Sequence, residues 1–319
     1  MIGAGASTLI AVPTFRRPEQ LRHLIEAIAR LDRLEGAALL VADNDAAGEG
    51  AAAAAKAVAE GFPIPVEIIC VPTPGLCHVR NAIVAQALAI PTVQRLVMID
   101  DDEWPEPQWL AALLTVQQRT GAAVVGGPVT PIFPQGAPDW AEQTLVFRPE
   151  RRPEGPAEML YASNNLLVIR PALEALGSPW FDPAFNRSGG EDLDFLTRLK
   201  ALGFTFAWAP GARVSEWVGA ERARKAWVLR RMWRIGVTDT RVARKQRGLL
   251  GRIGLGLRSL ALFGLRTAAL PALAWRRDRR LDIAGQWVKA VARLYALAGG
   301  SDAIYAAPAP VSSARRGSS

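Results

Sequence analysis

Three consecutive carboxylates, Asp100, Asp101 and Asp102, close the apolar run Leu96-Val97-Met98-Ile99 and are followed by Glu103. Carboxylates do not stay charged inside a core without a paired cation or a metal. At the C-terminal end of a buried strand they can reach a cleft together and hold a hard divalent cation against a phosphate. The plainer reading is an acidic surface turn. Two more acidic groups stand at comparable junctions: Asp43 and Asp45 after Ala38–Ala42, and Glu191-Asp192 after the pair Gly189-Gly190. A carboxylate opening a helix can take a proton from a hydroxyl within hydrogen-bond reach; it is also a good partner for the helix dipole.

Each of these groups needs a strand or helix end to position it. Residues 7–12 read as a buried strand. A helix follows from about Pro18, with Leu21, Leu24, Ile25 and Ile28 at helical spacing. Strand 38–42, an alanine-rich helix at about 50–60, strand 66–71 and a helix at about 77–89 come next, then the strand that ends on Asp100. A helix at 107–120, strand 122–125, a Pro-rich loop over 131–158, strand 164–169, a helix at 193–202, strand 205–209 and Val214-Ser215-Glu216 complete the pattern. Strands alternating with helices predict an α/β fold with a mostly parallel sheet flanked by helices. In such sheets ligands bind beyond the C-terminal strand ends, where Asp43, Asp45 and Asp100–Asp102 all fall.

The chain has 319 residues and a net charge of +8, but the average conceals a division. From Arg213 to Arg280 there are 18 Lys and Arg against 4 Asp and Glu, whereas the rest holds 20 against 26. The basic segment should face a polyanion. Two cysteines, Cys70 and Cys77, and two histidines, His23 and His78, exclude a disulfide framework and a zinc cluster, and a reducing compartment is the simplest expectation. The short apolar run at Thr8–Val12 reads as a strand rather than a signal peptide.

Together, Val12-Pro13-Thr14-Phe15-Arg16-Arg17-Pro18, Val41-Ala42-Asp43-Asn44-Asp45, Ile99-Asp100-Asp101-Asp102 and Gly189-Gly190-Glu191-Asp192 resemble inverting glycosyltransferases of family 2, whose nucleotide-sugar domain has the Rossmann-like GT-A fold. The likeness covers about residues 7–240. Val214-Ser215-Glu216 and Arg234-Ile235-Gly236 extend it to bacterial exopolysaccharide glucosyltransferases of the succinoglycan type. The resemblance implies Mn²⁺ or Mg²⁺ on Asp102, with help from Asp100, and the ribose on Asp101 or Asp100. It implies the nucleotide base on Asp43, with Pro13, Thr14, Arg16 and Asp45 lining that pocket. Arg80 suits a diphosphate or base contact, Asn164 the donor sugar with Asn165 beside it, and Arg234 a diphosphate. Asp192 is the expected general base and Glu191 its alternative. Many relatives place His where Glu216 stands, so Glu216 either ligates the metal in its stead or does something else.

The expected partners are a UDP-sugar, glucose first, and a lipid-diphosphate-linked or saccharide acceptor of bacterial surface polysaccharide assembly, with no nucleic acid. Residues 1–220 would form the catalytic domain, 221–300 an Arg-rich helical region, and 301–319 a disordered tail. In that region, at 100° per residue, Arg241, Arg244, Arg247, Arg252, Arg258 and Arg266 share one helical face; the other face is read as carrying Leu249, Leu250, Ile253, Leu257, Leu260 and Leu262. Such a helix lies in an anionic membrane surface, here the cytoplasmic face of the inner membrane, or packs its leucines into a core. A nucleotidyltransferase is the enzymatic alternative, though no Gly-rich triphosphate loop follows the first strand. A polyanion-binding protein is the non-enzymatic one.

Overall fold

A computed structural model describes residue 2 and residues 5–58, 61–134, 136–141, 144–271, 275–276 and 279–300; the expected tail over 301–319 lies outside the described residues. In chain order the elements are β1 (Thr8–Thr14), α1 (Pro18–Ile28), β2 (Ala37–Asp43), α2 (Glu49–Ala57), β3 (Val66–Cys70), α3 (Leu76–Ala89), β4 (Arg95–Met98), β5 (Glu103–Pro105), α4 (Trp109–Thr120), β6 (Val124–Gly126), β7 (Val129–Ile132), β8 (Gly155–Ala157), β9 (Leu166–Ile169), α5 (Arg170–Leu176), α6 (Glu191–Ala201), β10 (Phe206–Trp208), β11 (Val214–Trp217), α7 (Lys225–Lys245), α8 (Leu249–Ala268) and α9 (Arg280–Leu297).

The main sheet runs β3-β2-β1-β4-β9-β6-β10-β8. β3, β2, β1 and β4 are parallel, β9 is antiparallel to both its neighbours, and β10 is parallel to β6. All seven residues of β1 and of β2 are buried, which is why both read as continuous apolar runs rather than alternating ones. One core lies between the sheet and α3, α5 and α6, with Ile83, Phe181 and Phe195 at its centre; the other lies under α1 and α4, around Leu24, Ile25 and Trp109. The chain leaves β1 toward β2 on one side, while β4 joins β1 on the other. That reversal opens a crevice at the C-terminal ends of β1 and β4, where Thr14 and the aspartate run meet.

A second sheet, β5-β11-β7, joins the aspartate run, with the Trp217 N–H donating to the Asp102 carbonyl at 3.0 Å. It sets Glu216 opposite Glu103 in register. The stretch expected to be a loop over 131–158 thus holds the end of β7, a 3₁₀ turn at Leu145–Phe147 and β8. The basic segment is not one continuous helix either. α7 ends at Lys245 and α8 begins at Leu249, with Gly248 between them. The six arginines therefore do not share one face, and Leu262 sits on the half-buried side of α8.

Candidate active site

The aspartate run is a turn stitched to the end of β1. Thr14 Oγ1 donates to Asp101 Oδ2 at 2.9 Å, and the Phe15 N–H adds a bond to the same oxygen at 3.3 Å. Arg17 Nη1 lies 2.9 Å from both Asp101 Oδ1 and Asp102 Oδ2. Burial pushes the Asp101 carboxyl above its ordinary range, against the pull of Arg17. Glu103, fully buried, closes the turn from behind: its Oε2 accepts from the Asp100 N–H at 3.0 Å, and its Oε1 accepts from Asn164 Nδ2. Burial and the charge of Asp100 hold Glu103 well above the usual carboxylate range. Glu103 carries no signal of its own in the sequence, since nothing in a run of four acids tells the one that faces inward.

At the end of β2 the residues form a bracket. Asp43 is buried and its two oxygens accept from the backbone N–H groups of Asp45 (2.9 Å) and Ala51 (2.7 Å), fixing the entry to α2. Gly50 is packed against Thr14 and Asp43 so closely that an added Cβ would lie 2.9 Å from Thr14 Cγ2. Asp45 pairs with Arg16, which sits in the left-handed region at φ 55°. Asn44 ties down the loop after β3, donating to the carbonyls of Val71 and Thr73 at 2.8 Å and accepting from the Gly75 N–H at 2.8 Å. Pro13 is buried in β1 beside this bracket.

Across the crevice, one guanidinium gathers three carboxylates. Arg80 of α3 is almost fully buried. Its Nη1 is 3.1 Å from Glu191 Oε1 and 2.5 Å from Asp192 Oδ1, and its Nη2 is 3.4 Å from Asp100 Oδ1. Burial disfavours its charge, but the three carboxylates outweigh that and raise its pKa. Removing Arg80 would strand buried charge at a cost of about 3–5 kcal/mol. Burial first, then the other carboxylates, pushes Asp100 up to about 7. Burial and then Asp192 push Glu191 up to about 7, opposed by Arg80 and by Arg234 on α7. Asp192 is the more open of the pair: its side chain is 25% exposed against 9% for Glu191. Ser163 Oγ also donates to Asp192 Oδ1 at 2.5 Å, so that oxygen is held from two sides. Ser163 carries no sequence signal. Asp194, in the same acidic turn, is structural, buried against Arg198 and Lys245.

These acids are aimed by close packing around two glycines. At Gly75 (φ 130°) an added Cβ would lie 2.2 Å from Asn186, whose Oδ1 accepts from the Cys77 N–H. Gly190, at φ 98°, precedes α6 and would meet Thr238 of α7 at 3.0 Å. Both φ values favour glycine. Asn165 is locked structurally, accepting from Trp109 Nε1 at 2.7 Å and donating to the Ala212 carbonyl at 2.8 Å; its neighbour Asn164 is the one that faces Glu103. Cys77 is a buried thiol, pushed up to about 12 by desolvation, and is no nucleophile at neutral pH.

The third corner joins Asp102 and Glu216. Arg222, in the loop after β11, donates from Nη2 to Asp102 Oδ2 at 2.7 Å and from Nη1 to Glu216 Oε1. Its guanidinium stands where a cation shared by those carboxylates would stand. Among the described residues no three His, Cys, Asp or Glu side chains are gathered as a cation site, and Asp100 faces Arg80 instead. The donor chemistry nevertheless fits a hard divalent ion: two carboxylates from separate elements already bridge one cationic group. Arg222 also lines two cavities. One, of about 230 Å³, is bounded by Gly127, Tyr161, Asn164, Glu216 and Trp227; the other, of about 440 Å³, by Arg17, Asp102 and Trp217. His23, which reads as a surface residue of the first helix, instead stacks on Trp217 (4.9 Å) and meets Trp104 edge-on (5.1 Å), propping the floor of the second cavity.

A parallel sheet with carboxylates at the ends of β2 and β4, and an acid-opened helix facing them, defines a glycosyltransferase of the GT-A fold. The Glycosyl transferase family 2 model matches residues 9–177, and the chain belongs to that family. It is 36% identical over 252 residues to the succinoglycan biosynthesis protein ExoM of Rhizobium meliloti (strain 1021), covering 75% of this chain and 76% of that protein. Solved structures with the same fold include the mannosyltransferase PcManGT from Pyrobaculum calidifontis, in complex with GDP-Man and Mn²⁺ (TM-score 0.60, 17% identity, 91% of this chain and 87% of that one). S. aureus TarS 1–349 also shares it (TM-score 0.53, 11% identity, 92% of each chain). GalNAc-T7 with UDP, GalNAc and Mn²⁺ is similar over 73% of this chain and 48% of that one (TM-score 0.52, 14% identity). Family membership makes the chain a glycosyltransferase and sets aside the nucleotidyltransferase and non-enzymatic alternatives.

Proposed function

We propose that the enzyme transfers a hexosyl group, glucose first, from a UDP-sugar to a lipid-diphosphate-linked or saccharide acceptor during bacterial surface polysaccharide assembly, at the cytoplasmic face of the inner membrane. The succinoglycan role of ExoM and the nucleotide sugars held by the structural neighbours support this reading. The observation that carries it is the setting of Asp192, fixed through one oxygen by Arg80 and Ser163 and partly open to the crevice. The acceptor oxygen attacks the anomeric carbon, its proton passes to Asp192, and the bond from that carbon to the diphosphate breaks with the electron pair leaving on the diphosphate. A single in-line displacement inverts the anomeric centre. Glu191 is the more enclosed of the two, its side chain 9% exposed against 25% for Asp192, so Asp192 is the better placed to meet an acceptor hydroxyl.

Mn²⁺ or Mg²⁺ on Asp102 and Glu216 would neutralise the departing diphosphate as a Lewis acid. On this reading Asp100 and Asp101 would serve the ribose, and Thr14, Arg16, Asp43 and Asp45 the base. Arg234, on α7 near Glu191, is placed for a diphosphate. UDP release from UDP-glucose with Mn²⁺ tests the assignment. Asp192→Asn and Asp102→Asn should each lower turnover by about 10²-fold or more. Wild-type turnover in both variants would overturn the roles given to them.

A further inference from the structure

Helix α8 presents its apolar side to solvent. Leu249, Leu250, Ile253, Leu257, Leu260 and Leu265 are all exposed, from 52% at Ile253 to 84% at Leu250. The only buried residue of the helix is Ser259, whose hydroxyl bonds back to the Leu255 carbonyl at 2.8 Å. At 100° per residue the six apolar side chains fall within about 160° of one face. Arg258 borders that arc on one side and Arg252 on the other, both exposed, and α8 carries no acid. Trp275, in the segment that follows, is 88% exposed. α9 holds the helix along one edge of that arc, where Trp287 Nε1 donates to Thr267 Oγ1 at 3.2 Å and its ring lies 6.5 Å from that of Phe263, while the buried Ser259 is on the side away from the leucines. The helix is therefore anchored to the protein along that edge and leaves the leucine face uncovered.

We infer that this uncovered face docks on an anionic lipid bilayer, with α8 lying in the headgroup region, its leucines toward the acyl chains and Arg252 and Arg258 at the phosphates. Charge decides between occupants. A second copy of the chain laid on the same face would bring four arginines together with no carboxylate on either helix to offset them. An anionic bilayer supplies both the apolar phase and the opposite charge. The helix would lie on the membrane rather than cross it, since no described helix is long and apolar enough to span one. The glycines fit this role. Gly254 and Gly264 sit on the exposed side with open space around them, so no contact within the chain calls for glycine there. A helix so rich in glycine has low intrinsic propensity and gains order from a surface.

Docking also makes sense of the acceptor. After α8 the chain returns to the rim of the 230 Å³ cavity, where Leu281 packs with Phe147 and Asp282 accepts from the Leu145 N–H at 3.0 Å. A lipid-linked acceptor would then need no long excursion from the bilayer. The usefulness of docking rests on the proposed transfer reaction; the docking itself does not.

Full-length protein should be sedimented with phosphatidylcholine vesicles and with vesicles containing about 30% phosphatidylglycerol. Binding to the anionic vesicles should be about tenfold stronger or more, and weaken in high salt. The pair Leu250→Glu and Leu257→Glu should lower it by about tenfold or more, and so should Leu250→Ser with Leu257→Ser if the charged variant folds poorly by circular dichroism. Arg258→Gln should reduce the preference for phosphatidylglycerol. Equal sedimentation of wild type and both leucine variants overturns the inference. So does a wild-type dimer that the leucine substitutions dissociate without any vesicle binding. Hydrolysis of UDP-sugar without vesicles should be unchanged in these variants. If the wild type docks but turns over no nucleotide sugar, the transfer reading fails and the docking surface stands.

Discussion

At the scale of single residues, Arg222 is the side chain that closes the corner proposed for the metal. Its two nitrogens satisfy Asp102 and Glu216 at once, so a divalent ion entering that corner must displace two charge-assisted bonds. Such bonds contribute about 1.5–3 kcal/mol each. Arg222→Gln should therefore tighten Mn²⁺ binding to the nucleotide-free protein by about tenfold or more, read by the loss of free Mn²⁺ signal in electron paramagnetic resonance. Arg224→Gln removes the same charge from an exposed neighbour and should change it much less. Equal effects would mean that only net charge matters. Glu191 gives a second residue-scale expectation, with a definite sign. Its folded pKa of about 7 exceeds the ordinary 4.5, through burial and the charge of Asp192, and Arg80, Arg234 and Cys77 also face the site. The stability contributed by its protonated form is complete below about pH 4.5 and is lost as pH rises through about 7. Glu191→Gln should thus raise the melting midpoint by several degrees at pH 8 and by clearly less at pH 5. The same increment at both values would show that Glu191 does not titrate there.

At the scale of elements, the sequence was legible where burial is two-sided and opaque where it is not. β1, β2, β4, α1 and α3 announce themselves because their apolar residues face a core throughout or at helical spacing, and their carboxylates mark the ends. β5, β7 and β11 do not. They are three or four residues long, two contain proline, and their pairing depends on partners more than eighty residues away. The site suffered the same limit. The run Asp100–Glu103 promised chemistry, yet which acid faces Arg80, which faces Arg222 and which turns inward is decided by tertiary contacts of a turn. Ser163 and Asn44 were invisible as site residues for that reason. Gly236, noticed only as part of an Arg-x-Gly pattern, has a mechanical explanation. An added Cβ would lie 2.5 Å from the Lys289 carbonyl, so the glycine lets α7 and α9 cross closely.

At the scale of the whole molecule, the question is whether the acidic catalytic part and the basic helical part fold independently, as a boundary near residue 220 would imply. α7 argues against a clean division. Val242 is buried in the same core as Phe181 and Phe195, and Lys245 bridges Asp182 and the buried Asp194. Losing a buried valine costs about 1–3 kcal/mol, and leaving Asp194 with Arg198 as its only cationic partner adds to it. α7 in turn leans on α9 through Gly236, Val237 and Ala292. A chain ending at residue 220 should therefore melt at least about 10 °C below full length or fail to fold. One ending at residue 300 should keep its midpoint, because every contact just named lies before that point. If the 220-residue chain melts cooperatively at the full-length temperature, α7 is an appendage. If it does not, α7 belongs to the core that carries the crevice, and the boundary near residue 220 does not separate two folding units.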